Sequence, residues 1–126
     1  MSKKPMIILY VGEQERSRRF YEKVLDKTPI LHVPGMTEFE LSENFLLGLM
    51  PESGIIKILN DKTPDPAKGN GIPRCELYLF VADPVLSLGA AINAGAKEVS
   101  KSEIRDWGDE VSYCSDPDGH IIAFAK

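Results

Sequence analysis

The chain is poor in the residues that most metal and redox sites are built from. In 126 residues it has two histidines, two cysteines and one tryptophan. Cys75 and Cys114 are far apart and form no CxxC pair, so local spacing indicates neither a zinc knuckle nor a dithiol redox motif. Isolated cysteines of this kind are expected to be reduced core residues of a cytoplasmic protein. A basic excess is also missing. Fifteen Lys and Arg face nineteen Asp and Glu, a formal charge of −4, so neither a nucleic-acid phosphate backbone nor an anionic membrane is an expected partner. No stretch approaches the roughly 20 apolar residues of a membrane helix. The apolar run after "MSKKP" is too short for a secretory signal, and no small-residue cleavage site follows it. A Gly-rich phosphate loop, a Ser-His-Asp order and a supported Cys-His pair are absent, so nucleophilic catalysis has no evident candidate.

What remains is globular: 43% apolar and 27% charged residues, enough for one domain with a core. "MIILYV" (6–11) is β-branched and aromatic and reads as a buried strand. "EQERSRRFYEKVL" (13–25) sets Phe20, Tyr21, Val24 and Leu25 on one stripe of an amphipathic helix, with "ERSRR" as its solvated face. "EFEL" (38–41) and "NFLLGLM" (44–50) read as a hairpin. "GIIKIL" (54–59) suits a strand or a short helix. Residues 60–74, rich in Pro, Gly, Asn and Asp, read as a connecting loop. "ELYLFVAD" (76–83) is a strand candidate, after which Asp83 can cap a helix, Pro84 fits its first position and Gly95 can close it. "EVSYCS" (110–115) and "HIIAFA" (120–125) are strand candidates joined through "DPDG".

The two halves share an order. "MIILYV" aligns with "ELYLFV" at an offset of 70 residues, and "LLGL" (46–49) with "IIAF" (121–124) at an offset of 75. A strand–helix–strands unit cannot cover both faces of its sheet alone, so two such units side by side are expected to form one curved sheet with helices outside and a cleft inside.

"ILYVGEQERSRRFYEKVL", "ELYLFVADPVLSLGAAINAGAKEV" and the closing "DWGDEVSYCSDPDGHIIAFA" together resemble the vicinal oxygen chelate superfamily, the glyoxalase, bleomycin-resistance and extradiol-dioxygenase group. The resemblance covers nearly the whole chain and is specific for fold rather than reaction. It implies an α+β chain of two βαβββ modules, about 5–60 and 74–126 with a linker at about 60–73, making a cup-shaped mixed sheet with helices on its outer face, in a homodimer. In the metalloenzymes of that group four cup-facing positions hold a divalent ion. Carried onto this chain they fall on Met6, Gly48, Glu76 and Ala123, of which only Glu76 can bind a hard or borderline metal. A catalytic ion of this kind needs three or four His or carboxylate ligands, so no metal and no cofactor is expected.

Strand alternation places Met6, Ile8, Tyr10, Leu46, Gly48 and Met50 in the cup from the first module. Glu76, Tyr78, Phe80, Ile121, Ala123 and Ala125 face it from the second. His120 falls on the opposite face from Ala123 and reads as part of the turn, and His32, in strand-like "PILHV", reads as structural. Glu76 is the tentative catalytic residue, an acid in an apolar cleft; otherwise it pairs with Arg74 or Arg105 at the rim. Trp107 either caps the pocket and stacks on a ligand or closes a hydrophobic edge. Three functions follow: a metal-free protein binding a small, partly aromatic molecule; a lyase, isomerase or dioxygenase of the same fold with a metal site or Glu76 as base; or a partner-binding role with no ligand.

Overall fold

The computed structural model describes residues 4–126. The chain divides into two compact units, Met1–Gly69 and Asn70–Lys126. The first contains β1 (Met6–Val11), α1 (Gln14–Leu25), β2 (Leu31–Val33), β3 (Met36–Ser42), β4 (Phe45–Pro51) and α2 (Glu52–Leu59). The second contains β5 (Glu76–Phe80), α3 (Pro84–Asn93), β6 (Lys97–Ile104), β7 (Glu110–Ser115) and β8 (Ile121–Ala125). Each unit has one four-stranded mixed sheet, in the order β1-β4-β3-β2 or β5-β8-β7-β6. The first strand of each module runs parallel to the last, and the other pairings are antiparallel. The fold class is α+β, built from two βαβββ modules.

The repeat read from sequence is a repeat of register. Met6 pairs with Leu46 and Ile8 with Gly48 in the first parallel pair; Glu76 pairs with Ile121 and Tyr78 with Ala123 in the second. The offsets of 70 and 75 residues therefore connect equivalent places in two sheets.

In the first unit α1 lies on β3 and β4. Its Phe20 and Tyr21 meet edge to face at 5.0 Å and are buried with Leu9, Val11, Phe39, Leu47 and Leu49. Full burial of each such side chain stabilises by about 1.5–3 kcal/mol. Val24 and Leu25, on the expected stripe, are half-buried. Arg18 bridges Glu15 and Glu22, and Arg16 and Arg19 also reach acids one turn away, so "ERSRR" is laced by ion pairs along the helix surface. The ambiguous "GIIKIL" is helical, starting directly after Pro51 and burying Ile55.

In the second unit the Asp83 carboxylate accepts from the Val85 and Leu86 N–H groups, with Pro84 at the first helical position and Gly95 at positive φ beyond the end. Helix α3 covers β7 and β8, burying Leu88 and Ala91 with Leu77, Cys114, Ile122 and Phe124 on this side. Ser112 Oγ donates to the Pro84 carbonyl at 2.9 Å, fastening the helix start to β7.

Two strands lie outside the sequence-based pattern. β6 has no counterpart in it, because "KEVSKSEI" is a polar edge strand with Val99 and Ile104 exposed and nothing alternating to detect. β2 is a three-residue edge strand, exposed throughout, of which only "PILHV" gave a hint. The expectation of two core cysteines needs correction: Cys114 is buried, and Cys75, one residue before β5, is exposed.

Both histidines are held by neighbouring side chains, one in a turn and one between a strand and a helix. The buried Asp116 carboxylate accepts from the Asp118 and His120 N–H groups, each at 2.9 Å, and from His120 Nδ1 at 2.8 Å. A carboxylate only accepts, so Nδ1 carries the proton. "DPDGH" is thus an Asx turn closed by its own histidine. Its Gly119 has φ +95°, and a Cβ there would lie 2.5 Å from the Gly71 carbonyl oxygen. In the first unit His32 Nε2 meets Glu15 Oε2 at 3.2 Å and Nδ1 meets Thr37 Oγ1 at 2.7 Å, while Gln14 Nε2 donates to the same hydroxyl at 2.9 Å. Nε2 therefore carries the proton, the buried Thr37 donates to Nδ1, and edge strand β2 is tied to α1.

Two outcomes follow. Gly119→Ala, which combines a positive φ with a blocked Cβ, should lower unfolding free energy by about 1–3 kcal/mol in a denaturant titration; an unchanged midpoint would contradict the Gly71–Gly119 approach. Burial, and secondarily the Asp116 charge, pushes the Cys114 thiol up to about 12. At neutral pH a thiol-reactive dye should label one cysteine of the native protein, Cys75, and both only after denaturation.

Candidate functional site

Each sheet has one face under its helix and one face away from it. In the second unit Ser112 reaches α3 and pairs with Phe124, which pairs with Leu79, so those residues face the helix. Tyr78, Ala123 and Tyr113 pair in the alternate register and face the other way. Val111, Ala123 and Ala125 form the buried floor of that face, and Tyr78 and Tyr113 pack over it.

On this floor the aromatic groups are joined by polar contacts. Tyr78 Oη donates to Asp109 Oδ2 at 2.7 Å and accepts from Trp107 Nε1 at 2.8 Å. Trp107 stands at the tip of the β6–β7 hairpin, where Gly108 takes φ +100° and its N–H reaches the Arg105 carbonyl at 2.9 Å. The Tyr78 ring meets Phe80 edge to face at 5.5 Å. The Arg105 guanidinium lies 5.2 Å from the centre of the Tyr113 ring. It is committed elsewhere too, donating to Ser100 Oγ, the Lys101 and Val111 carbonyls and Glu103. Phe80 is 72% exposed and Trp107 57%. The result is a small aromatic platform with a carboxylate fixed at one end, able to receive a flat apolar group by stacking.

The corresponding face of the first unit is filled differently. Thr37 bonds to α1 and pairs with Leu49, so Gly48, Ile8 and Glu38, in the alternate register, face away from α1. A Cβ on Gly48 would meet Met6 Sδ at 2.8 Å, Ile8 Cγ1 at 3.1 Å and Met36 Sδ at 3.3 Å. Two thioethers and an isoleucine thus occupy the space above the glycine. Leu46 is buried, Met50 and Tyr10 are half-buried, and Ile8 is partly exposed.

These residues do not fit the group's divalent ion. Gly48 is overlain by thioethers, which suit soft ions, and the buried Ala123 is a methyl group between Tyr78 and Tyr113. Glu76 is the one carboxylate in the carried-over set and lies at the exposed start of β5. Among the described residues no group of three or more His, Cys, Asp or Glu side chains is placed to hold a metal ion.

Of the residues singled out from sequence, Tyr78, Phe80, Trp107 and Ala123 meet in the second unit, with Ile121 on the same face next to Glu76. Met6, Ile8 and Gly48 meet in the first. Arg105, considered as a partner for Glu76, is engaged with Glu103 and backbone carbonyls. Four participants were not anticipated: Asp109 and Tyr113 beside Tyr78, and Met36 and Glu38 beside Gly48. Asp109 had a visible signal, since an acid two residues after the only tryptophan at a hairpin tip can turn back to the same place.

Desolvation, and after it the Asp109 carboxylate, raises Tyr78 above its ordinary value of 10.0, while the Trp107 N–H opposes the shift. The neutral phenol is the form the fold favours; its contribution is complete below pH 10.0 and is lost as pH rises through the raised value. An alkaline ultraviolet difference titration of wild type against Tyr78→Phe should isolate a late phenolate transition, and Asp109→Asn should move it earlier. A Tyr78 transition at or below 10.0 would refute the arrangement.

No protein-family model matches the chain. An uncharacterized protein of Mycobacterium bovis is 28% identical over 119 residues, which span 89% of this chain and 75% of that protein. An uncharacterized protein of Mycobacterium tuberculosis has the same identity over the same length, spanning 67% of its own chain. Among solved structures, a glyoxalase-related enzyme from Fulvimarina pelagi superposes with a TM-score of 0.82 at 20% identity, covering 99% of this chain and 88% of its own. A glyoxalase/bleomycin resistance protein/dioxygenase family enzyme from Burkholderia phytofirmans gives 0.79 at 13%, covering 95% and 94%. A glyoxalase/bleomycin resistance protein/dioxygenase from Nocardioides gives 0.75 at 18%, covering 99% and 83%. At these identities the likeness establishes the fold alone: the chain shares the α+β fold of these glyoxalase/bleomycin resistance protein/dioxygenase structures, in agreement with its two βαβββ modules.

Proposed function

We propose that the protein binds a small, partly aromatic organic molecule on the Tyr78–Phe80–Trp107 face without a metal, acting by recognition or sequestration as a cytoplasmic homodimer. The observation that carries this is the hydrogen-bonded set Trp107–Tyr78–Asp109 beside an exposed Phe80. Large aromatic side chains left in water on a sheet face, and oriented by a buried floor and a carboxylate, favour a ligand over packing alone. The donor chemistry at Met6, Gly48 and Ala123 supports the metal-free part. Glu76 stands two residues before Tyr78 on the same face, where it can contact a ligand at its edge.

Trp107 is the only tryptophan, so its fluorescence reports on the site directly. Titration with a series of neutral aromatic compounds should change Trp107 emission saturably, and Tyr78→Ala should weaken the tightest by about tenfold, the scale of an aromatic contact plus its buried area. Native mass spectrometry of protein purified without chelator should show two chains and no metal. About one nickel, zinc or iron per chain, with binding lost on stripping, would overturn the metal-free reading. Unchanged binding in Glu76→Gln would remove that residue from the site.

A further inference from the structure

We infer that the ligand of this face is an organic cation, an alkylated ammonium carried on an aromatic or apolar body, held between the aromatic rings and the Asp109 carboxylate; this rests on the binding reading above and narrows it. The first support is the distribution of charge. Residues 70–126 carry nine Asp and Glu against five Lys and Arg, while residues 1–69 carry ten of each, so the whole formal charge of −4 lies in the second unit. A cation is drawn to that unit and an anion is not.

The second support is local. Asp109 gives one carboxylate oxygen to Tyr78 and is only partly buried, and among the described residues no Lys, Arg or His forms an ion pair with it, so its charge is held beside the rings. Glu76 precedes Tyr78 on the same strand face, and Asp106 adjoins Trp107 at the hairpin tip. The nearby cation, Arg105, is already engaged: its guanidinium is shared among Glu103, Ser100 and two carbonyls. An anionic ligand there would meet the Asp109, Glu76 and Asp106 carboxylates beside an Arg105 guanidinium that is already shared.

The third support is that the same face already holds a cation by its aromatic surface. Arg105 lies over Tyr113, the neighbour of Tyr78 on the Val111–Ala123–Ala125 floor. Phe80 and Trp107 present further ring surface to solvent, and Tyr78 joins them, one through a ring contact and the other through a hydrogen bond. Ring faces attract cations through their quadrupoles, and tryptophan does so most strongly. An ammonium wrapped in methyl groups has a modest hydration shell to lose and no need of a hydrogen-bond acceptor. It can therefore rest against the rings beside the Asp109 charge while the Asp109–Tyr78 hydrogen bond stays intact.

The test compares phenyltrimethylammonium with its neutral isostere tert-butylbenzene, reading Trp107 fluorescence on the full chain. The cation should bind about tenfold more tightly, as a partly desolvated cation–aromatic contact predicts, and added salt should weaken it but not the isostere. Asp109→Asn keeps an acceptor for Tyr78 and removes the charge; it should reduce the preference for the cation by at least about threefold. Phe80→Leu, which keeps an apolar group and removes the ring, should also reduce it. Circular dichroism confirms that each variant is folded. Equal affinity for the two compounds would overturn the cation inference and leave the binding reading standing. Binding of neither compound, with no response to the neutral aromatic series, would overturn both. A preference for the cation that survives in both variants would show that the cation is bound elsewhere.

Discussion

A small residue opposite a large one at the middle of each parallel strand pair sets what the rest of the structure can be. Gly48 faces Ile8 and Ala123 faces Tyr78, in the same register in both modules. Because neither small residue projects a functional group, neighbours settle over it. In the first unit those neighbours are Met6, Ile8 and Met36; in the second they are Tyr78 and Tyr113. One repeated geometry thus becomes a soft apolar surface in one module and an aromatic platform in the other. The difference comes from the side chains beside the small residue.

The platform stays open because the opposite faces of the sheets supply the core. Leu9, Val11, Phe39, Leu47 and Leu49 pack with the buried residues of α1, and Leu77, Cys114, Ile122 and Phe124 lie on the side of α3. That burial leaves most of Phe80 and more than half of Trp107 in water. The polar groups divide in the same way. His120 with Asp116 closes a turn, and His32 with Glu15 and Thr37 ties an edge strand to a helix. Both histidines are thus engaged by neighbouring side chains that hold local structure in place.

A site assembled from one tyrosine, one carboxylate and an indole N–H is modest chemistry, but it is directional. The Tyr78 hydroxyl both donates and accepts, so the ring has one preferred rotation and Trp107 one preferred distance from it. Hydrogen bonds fix the orientation of these rings while their faces remain available. Arg105, clamped across the β6–β7 hairpin by Ser100 and two carbonyls, supports the segment that carries Trp107. The hairpin is therefore part of the site, although its own first strand is almost entirely polar.

Much of the fold was legible because its signals are local or periodic. The Asp83–Pro84 helix start, the stripe of α1 and the "DPDG" turn each follow from neighbouring residues, and the two offsets of the repeat follow from alternation within short strands. β6 was not legible, since an exposed polar edge strand is defined by the partner it pairs with, and Cys75 was misplaced because cysteine chemistry alone does not report burial. The sequence by itself determined the repeated order of a strand, a helix and paired strands, the faces of β1, β4, β5 and β8, and the poverty of metal donors at Met6, Gly48 and Ala123. Only the tertiary structure decided that Asp109 and Trp107 meet the hydroxyl of Tyr78 and that Met36 covers Gly48. Those contacts join residues about 30 positions apart or lie across a bulged sheet. They depend on side-chain direction in three dimensions, which no spacing rule encodes.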